Sequence, residues 1–193
     1  MNEIITQKKN LRKALIEKRN LIKKNSTQEF NLDVFNQLIE SIEFDKVDGV
    51  ASFISIRSEI STKQLNKQII QLKKTLSFPA IKKNSQELIF KKFNTNKDFK
   101  LGKFNIPEPT IENKEIIPQL FFVPCLGFDL RGYRIGYGGG FYDKTFAKLK
   151  KLDLKFYTVG FAFDKQKINK LPKEKYDYKL DFVLTEQQLY MFL

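Results

Sequence analysis

The sequence FFVPCLGFDLRGYRIGYGGGFYDK, residues 121–144, contains six of the nine glycines in this chain of 193 residues. An apolar run at residues 120–123 leads into it and ends at Pro124, a pattern that predicts a buried strand. From Phe141 onward, apolar residues recur at helical spacing. The glycines are therefore predicted to form the turn between a strand and the start of a helix.

A glycine-rich turn that leads into a helix suits the binding of an anion. Glycine permits positive φ and close approach to backbone amides, and a helix N-terminus offers unpaired N–H donors and a favourable dipole. Arg131 and Arg134 flank the loop and could each donate two hydrogen bonds to phosphate oxygens. Asp143 follows closely enough to hold a metal ion beside the same phosphates. We interpret the segment as a phosphate-binding loop.

Neither common nucleotide-binding motif matches this loop. The P-loop pattern fails because no glycine precedes Lys144, and GxGxxG fails because Phe141 stands at its third glycine position. A plain connector is the alternative, but three consecutive glycines cost much chain entropy for a turn without another purpose.

Composition limits the chemistry that the chain can perform. A hydrophobic content of 41% predicts a packed globular protein, which we expect to form one domain over residues 1–193. The absence of histidine excludes Ser-His and Cys-His mechanisms. A single cysteine excludes an internal disulfide, and with no apolar span or signal-peptide pattern we expect a cytoplasmic protein without membrane contact.

The net charge of +13 is compatible with a nucleic-acid-binding protein, but it is weak support for one. Only five of the 35 basic residues are arginines, and the lysines are spread along the chain. The same positive field would attract a small anionic substrate. We therefore expect no nucleic-acid partner and keep a basic nucleic-acid-binding protein as the alternative.

The remaining pattern predicts helices that alternate with strands. Residues 3–24 are predicted to form a helix that carries Lys8 and Arg12 on one face, and residues 27–43 a second helix capped by Ser26 or Thr27. A third helix is predicted from a cap at residue 61 or 62 through residue 72. Strands are predicted at residues 48–56, 75–79, 88–93, 120–123, 155–163 and 180–184, with a hairpin inserted near residues 80–95. This order indicates an α/β fold with a mostly parallel sheet and helices on both faces.

Three further residues are candidates for the site. Glu59 follows the first predicted strand, where open α/β sheets place ligands, although it could equally be an ordinary acid in the first turn of a helix. Asp181 stands beside an apolar strand and needs a cation or backbone donors as partners. Phe104, stiffened by two following prolines, could face a flat ring or form a wall of the core.

Four segments in this order resemble the 5-formyltetrahydrofolate cyclo-ligase family, also called methenyltetrahydrofolate synthetase. They are Lys8-x-x-Leu11-Arg12, SEIS at residues 58–61, FNIPEP at residues 104–109, and the loop from Pro124 that ends in RIGYGGGFYD at residues 134–143. The resemblance covers nearly the full length. It implies a three-layer α/β/α, Rossmann-like fold of the type shared with sugar-phosphate isomerases and CoA transferases.

The resemblance also implies a reaction in which ATP and 5-formyltetrahydrofolate give 5,10-methenyltetrahydrofolate, ADP and phosphate. In this family the formyl oxygen attacks the γ-phosphate, and the nitrogen at position 10 then closes the ring as phosphate leaves. The nucleophiles belong to the substrates, which suits a chain without histidine. We expect a monomer that acts on 5-formyltetrahydrofolate, including forms that carry a polyglutamate tail.

Carried over by position, the resemblance implies catalytic roles for Arg134 and Lys8 and Mg²⁺ ligation by Asp143 and Asp181. The folate would contact Ile54, Glu59, Phe104 and Tyr142. ATP would contact Lys8, Arg12, Arg134, Ile135, Gly136, Tyr137, Gly138, Gly139, Gly140, Phe141 and Tyr142.

The chain departs from the family pattern at four positions. A glycine is common at the position of Cys125, basic residues occur in some members at Tyr137 and Gly139, and a larger aromatic is frequent at Phe104. Fewer positive charges would then contact the phosphates, so the remaining cations would have to supply more of the interaction with them. Another phosphate-handling enzyme of the same fold is the second alternative, although it would lack the pair Lys8 and Arg12.

Overall fold

The computed structural model describes residues 2–27, 29–81, 85–95, 99–102, 106–110 and 112–193. Its strands, in chain order, are β1 (Gly49–Ala51), β2 (Thr75–Ile81), β3 (Leu88–Lys92), β4 (Phe99–Leu101), β5 (Pro107–Pro109), β6 (Glu115–Ile116), β7 (Leu120–Pro124), β8 (Gly127–Phe128), β9 (Arg134–Ile135), β10 (Tyr157–Phe161), β11 (Phe182–Leu184) and β12 (Leu189–Met191). The helices are α1 (Asn2–Asn25), α2 (Leu32–Glu40), α3 (Lys63–Gln71) and α4 (Phe141–Lys151).

Eight strands form one sheet in the order β12-β11-β10-β7-β1-β2-β3-β6. The central strands β11, β10, β7, β1 and β2 are parallel, whereas β12 pairs antiparallel with β11, β3 with β2, and β6 with β3. The hairpin of β2 and β3 is the insertion expected near residues 80–95. The remaining strands form two small ribbons, β4 with β5 and β8 with β9.

Alternate residues of β7 show how the sheet is covered on both faces. Leu120 and Phe122 pack in one core cluster with Phe35 of α2 and Leu65 of α3. Phe121 and Val123 point into the other cluster, which includes Phe146 of α4. These four side chains of β7 are fully buried, as expected for a parallel strand between two helical layers. The structure thus confirms the predicted three-layer α/β/α fold with a mostly parallel sheet.

Several element boundaries and one helix cap differ from the predictions. The second helix begins at Leu32, not near Thr27, since the Asn31 side chain accepts hydrogen bonds from the N–H groups of Asp33 (3.0 Å) and Val34 (3.4 Å). The first strand spans only Gly49–Ala51, and the chain then continues as an extended loop. Thr62 occupies the N-cap position of α3, but its hydroxyl donates to the carbonyl of Phe53 (2.9 Å) and does not cap the helix.

The glycine-rich segment is more structured than a simple turn. Between β7 and α4 the chain forms the hairpin of β8 and β9, with Gly127 opposite Ile135. This hairpin packs against α1 through Leu15, Leu126 and Ile135. Because of this contact, α1 lies beside the loop that follows β9.

The strand order changes direction between β1 and β7, since β1 continues to β2 on one side and β7 to β10 on the other. Open α/β sheets form a crevice at such a position, outside the carboxyl ends of the strands. No helix in the described part of the chain combines the length and apolar character needed to cross a bilayer.

Candidate active site

A cavity of about 310 Å³ lies at the carboxyl ends of the central strands. The segment after β1 and the carboxyl ends of β2 and β7 line it, together with α1, β5 and the loop that leads from β9 into α4. Part of the lining is apolar and includes Ile54, Ile56, Phe78 and Pro107; we call it the apolar wall. The part that presents cations and backbone amides is called the polar wall. The cavity therefore suits a ligand with a flat organic part and an anionic part.

The glycine loop forms the polar side of the cavity. Gly138 has φ +101° and Gly140 has φ +65°, conformations that residues with a Cβ rarely adopt. Gly140 occupies the N-cap position of α4, and no described side chain caps that end of the helix. The N–H groups of the first turn of α4 are therefore available to an anion, with the helix dipole in their favour.

Three cations from two distant parts of the chain line this side of the cavity. Arg12 donates from Nε to the carbonyl of Gly136 (3.0 Å), which holds α1 against the glycine loop. Arg134 pairs through Nη2 with Oδ1 of Asp143 (3.1 Å). Lys8 is only 5% exposed, and its Nζ lies 2.7 Å from Oε2 of Glu174 and 2.6 Å from Oδ2 of Asp177.

Glu59 is a buried carboxyl group on the apolar side of the cavity. Burial raises its pKa from 4.5 to about 7, although a hydrogen bond from the Ile56 N–H and the charges of Arg19 and Arg57 act in the opposite direction. Its Oε2 accepts that hydrogen bond at 3.0 Å, and its Oε1 lies 3.7 Å from Nη1 of Arg19. The carboxyl group can thus change protonation state near neutral pH.

Arg19 is a residue of this site that the sequence reasoning missed. It belongs to α1 and is 1% exposed, and its Nη1 lies 3.7 Å from Oε1 of Glu59. The signal that could have revealed it is its position on α1, seven residues after Arg12 and four after the buried Leu15, which places a charge on the buried face of the helix. A charge in that position requires partners.

The structure brings most of the predicted site residues together. The predicted residues that line the cavity are Lys8, Arg12, Ile54, Glu59, Arg134, Ile135, Gly136, Tyr137, Gly138, Gly139, Gly140, Phe141, Tyr142 and Asp143. Phe104 lies outside the described residues.

Two of the expected contacts are corrected by the structure. Arg131 does not line the cavity, since its Nη2 pairs with Oδ2 of the buried Asp129 at 2.5 Å. Asp181 also lies outside the cavity lining, and its Oδ2 accepts hydrogen bonds from the N–H and the hydroxyl of Thr158, both at 2.8 Å. The partners that Asp181 needs are therefore donors on β10, and it does not line the cavity with Asp143.

Within the described ranges, no three His, Cys, Asp or Glu side chains are grouped as a metal site. Asp143 lines the cavity at the start of α4, where its carboxylate is 27% exposed. Mg²⁺ is commonly held by one or two carboxylates, water and the phosphates of a substrate. A carboxylate at this position fits that kind of site, and Asp143 is the cavity residue that could serve as the protein ligand.

A doubly covered parallel sheet with a cationic, glycine-lined cavity at its carboxyl edge defines an α/β protein of the class that includes phosphate-handling enzymes. The chain belongs to the 5-formyltetrahydrofolate cyclo-ligase family, whose sequence profile matches residues 4–186. It is therefore an enzyme of the ligase class.

Individual relatives agree with this membership. The chain is 30% identical over 146 residues to the 5-formyltetrahydrofolate cyclo-ligase of Escherichia coli K12, covering 73% of this chain and 79% of that protein. It is 27% identical over 188 residues to the cyclo-ligase of Mycoplasma genitalium, covering 93% and 98%. The solved 5,10-methenyltetrahydrofolate synthetase of Aquifex aeolicus superposes with a TM-score of 0.76 at 27% identity, covering 96% of this chain and 92% of that one.

Proposed function

We propose that this enzyme uses ATP to cyclise 5-formyltetrahydrofolate to 5,10-methenyltetrahydrofolate, with release of ADP and phosphate. The observation that carries the proposal is the convergence of Lys8, Arg12, Arg134 and the glycine loop on one wall of a cavity whose other wall is apolar and carries Glu59. Membership of the cyclo-ligase family supports this reaction over others that such a cavity could serve.

The triphosphate is assigned to the polar wall. Backbone N–H groups of residues 136–140 and the uncapped first turn of α4 would donate hydrogen bonds to its oxygens. Arg12 and Arg134 would contact the same oxygens, Arg134 from its position beside Asp143. Lys8 would release the carboxylates of Glu174 and Asp177 and bind a phosphate oxygen in their place. Its buried ammonium group would thus keep an anionic partner throughout.

The folate is assigned to the apolar wall. Its pterin ring carries N–H donors on one edge, and the carboxylate of Glu59 is an acceptor that can bind two of them. Ile54 and Tyr142 would pack against the ring faces. The apolar surroundings that raise the pKa of Glu59 also strengthen hydrogen bonds made to its ionised form.

The proposed chemistry uses nucleophiles supplied by the substrates. The formyl oxygen attacks the γ-phosphorus and the bond to ADP breaks, which gives a phosphorylated formyl group on nitrogen 5. Nitrogen 10 then attacks the formyl carbon, loses its proton, and expels inorganic phosphate that contains the former formyl oxygen. Lys8 and Arg134 stabilise the negative charge on the transferring phosphoryl group, and the cavity aligns the two substrates.

We infer that Asp143 would hold Mg²⁺ beside the phosphates, where the ion would neutralise part of their charge. Asp143→Asn should raise the Mg²⁺ concentration needed for half-maximal turnover by about tenfold. The matched control is Asp181→Asn, which should lower thermal stability through its lost contacts to Thr158 and leave the Mg²⁺ titration unchanged. Identical Mg²⁺ titrations for Asp143→Asn and the unmodified enzyme would remove Asp143 as a ligand.

A second cavity, of about 820 Å³, adjoins the first and shares Ile54, Glu59, Phe78 and Pro107 with it. Arg57, Lys63 and Lys67 line it together with three phenylalanines. Its position on the folate side and its positive charge support assignment to the glutamate tail of the folate, including polyglutamylated forms.

The direct test is an assay of purified enzyme with MgATP and 5-formyltetrahydrofolate, followed by the near-ultraviolet absorbance of the methenyl product. We expect an ATP-dependent rise in absorbance. Folate labelled with ¹⁸O in the formyl group should deliver that label to inorganic phosphate. No absorbance change from folded, nucleotide-binding enzyme would overturn the proposed function, and unlabelled phosphate would overturn the phosphorylated intermediate alone.

A further inference from the structure

Tyr137 lines the cavity from the glycine loop and contacts two arginines, one on α1 and one in the turn after β1. It belongs to the glycine loop, but its hydroxyl accepts a hydrogen bond from Nη2 of Arg19. The guanidinium carbon of Arg19 lies 5.5 Å from the centre of the Tyr137 ring, and that of Arg57 also lies 5.5 Å from it. The ring thus makes cation–π contacts with one arginine from α1 and one from the loop after β1.

Arg19 connects this tyrosine to the interior of the protein. Its Nε donates to the hydroxyl of Ser58 and its Nη1 to the carbonyl of Cys125, each at 3.2 Å, and Glu59 lies beside Nη1. Hydrogen bonds from a buried charged group are costly to lose, so these partners fix the orientation of the guanidinium group. Arg19 thereby joins α1, the end of β7, the loop after β1 and the glycine loop.

Two hydrogen bonds close the turn after β1 on itself. The N–H of Ile56 donates to Oε2 of Glu59, and the N–H of Glu59 donates to the carbonyl of Ile56, both at 3.0 Å. Arg57, within this turn, has φ +53°, a conformation that only a fixed turn maintains. The turn that carries Glu59 therefore also holds Arg57 beside the ring of Tyr137.

We propose that Arg19 and Tyr137 are positioning residues that join the two walls of the cavity, so that ATP and the folate each bind more tightly when the other is present. The inference rests on the proposed function, which assigns ATP to the glycine loop and the folate to the turn that carries Glu59. Neither residue needs to contact a reacting atom.

Linked loops give such coupling for a physical reason. If contacts connect the glycine loop to the turn at residues 56–59, a ligand that orders one of them also orders the other. The second ligand then binds to a segment that is already ordered, so its binding loses less conformational entropy. By thermodynamic linkage, the folate must increase the affinity for nucleotide by the same factor as nucleotide increases the affinity for folate. Removing the contact between Arg19 and Tyr137 should abolish the coupling and change the affinity for each ligand alone much less.

The experiment is calorimetric titration of a non-hydrolysable ATP analogue into the full-length enzyme, with and without saturating 5-formyltetrahydrofolate. We expect about tenfold tighter nucleotide binding in the presence of the folate, within the usual range of coupling between two sites. Tyr137→Phe removes only the hydroxyl and keeps the ring, and it should reduce this ratio to about twofold or less. Arg57→Gln removes the outer contact and should give an intermediate ratio.

The matched control is Tyr133→Phe. The Tyr133 ring also has two cations over it, Arg131 at 5.5 Å and Lys173 at 4.6 Å, but it lies outside the cavity lining. This variant should keep the ratio of the unmodified enzyme. A ratio near one in the unmodified enzyme, or an unchanged ratio in Tyr137→Phe, would overturn the inference.

The outcomes separate this inference from the proposed function. If the unmodified enzyme forms no methenyl product, the proposed function fails and the coupling has no basis. If it turns over but Tyr137→Phe keeps full coupling, only the inference fails. Arg19→Lys tests the buried partner in this contact. If that variant does not fold, Tyr137→Phe still decides whether the contact couples the two ligands.

Discussion

Arg134 and Arg131 lie on the same hairpin, yet their carboxylate partners give them different roles. Arg134 pairs with Asp143 inside the cavity, whereas Arg131 pairs with the fully buried Asp129 outside it. Arg134→Ala should lower kcat by about 10²-fold or more, because the proposed function assigns to this cation the stabilisation of the transferring phosphoryl group. Arg131→Ala should keep kcat but lower the free energy of unfolding by about 1–3 kcal/mol, since it leaves a buried carboxylate with fewer donors.

Steady-state kinetics and thermal unfolding of both variants check this contrast. Equal losses of activity and stability in Arg134→Ala would indicate that the residue acts through the fold and does not contact phosphate.

The buried carboxyl of Glu59 gives a prediction about pH. Its pKa is about 7 in the folded protein and 4.5 as the ordinary value, so the folded state binds this proton more tightly. The stability that this provides is fully present below pH 4.5 and is lost as pH rises through 7. Glu59→Gln cannot ionise, and its free energy of unfolding relative to the unmodified enzyme should therefore rise by about 3 kcal/mol between pH 4.5 and 8.

Denaturant unfolding of both proteins across this pH range measures that difference. Folate binding should be lost in the same variant, because the amide offers one acceptor where the carboxylate offers two. A stability difference that does not change with pH would mean that Glu59 is not desolvated in solution.

At the scale of the elements, the glycine loop contains one position that cannot accept a side chain without strain and another, two residues away, that can. A Cβ on Gly138 would stand 3.2 Å from Cζ of Arg12, and its φ of +101° strains any side chain. At Gly136, a Cβ would meet nothing within 4 Å. Gly138→Ala should cost about 1–3 kcal/mol of local strain and raise the KM for ATP by about tenfold, because the loop can no longer present its amides.

Gly136→Ala is the control and should keep the KM for ATP within about twofold. An unaffected KM in both variants would show that the backbone of this loop does not bind the nucleotide.

The sequence predicted elements well where one face or two faces of a segment are buried. The run at Leu120–Pro124 and the helix from Phe141 were recognised because their apolar spacing is strong. The hairpin of β8 and β9 was missed because two-residue strands carry no periodicity, and Leu189–Met191 was missed because it is a short edge strand. Such elements form through tertiary pairing and leave little local signal.

At the scale of the molecule, the limits of prediction concern pairs that are distant in the chain. Lys8, Arg12 and the glycine loop could be assigned to one site through a resemblance to a family and the loop's own composition. The hydrogen bonds of Arg19 span 39, 106 and 118 residues, and no local pattern indicates which groups it meets. Asp181 shows the same limit, since the sequence required a partner for it but could not identify Thr158.

The net charge of +13 raises a question for the whole molecule, namely whether the lysines act as a general field or at particular places. Lys63 and Lys67 line the cavity assigned to the glutamate tail. Lys151 and Lys155 are exposed at the opposite edge of the sheet, between the end of α4 and the start of β10. Replacing either pair by alanine changes the net charge equally, so the two double variants separate position from charge.

Lys63→Ala with Lys67→Ala should raise the KM for a triglutamylated substrate by about fivefold and leave the KM for the monoglutamate within about twofold, since only the longer tail reaches these cations. Lys151→Ala with Lys155→Ala should change neither. Equal effects of the two pairs would mean that the charge acts as a long-range field, which higher salt would weaken. No effect from either pair would mean that the lysine excess does not serve the substrate, and the second cavity would lose its assignment to the tail.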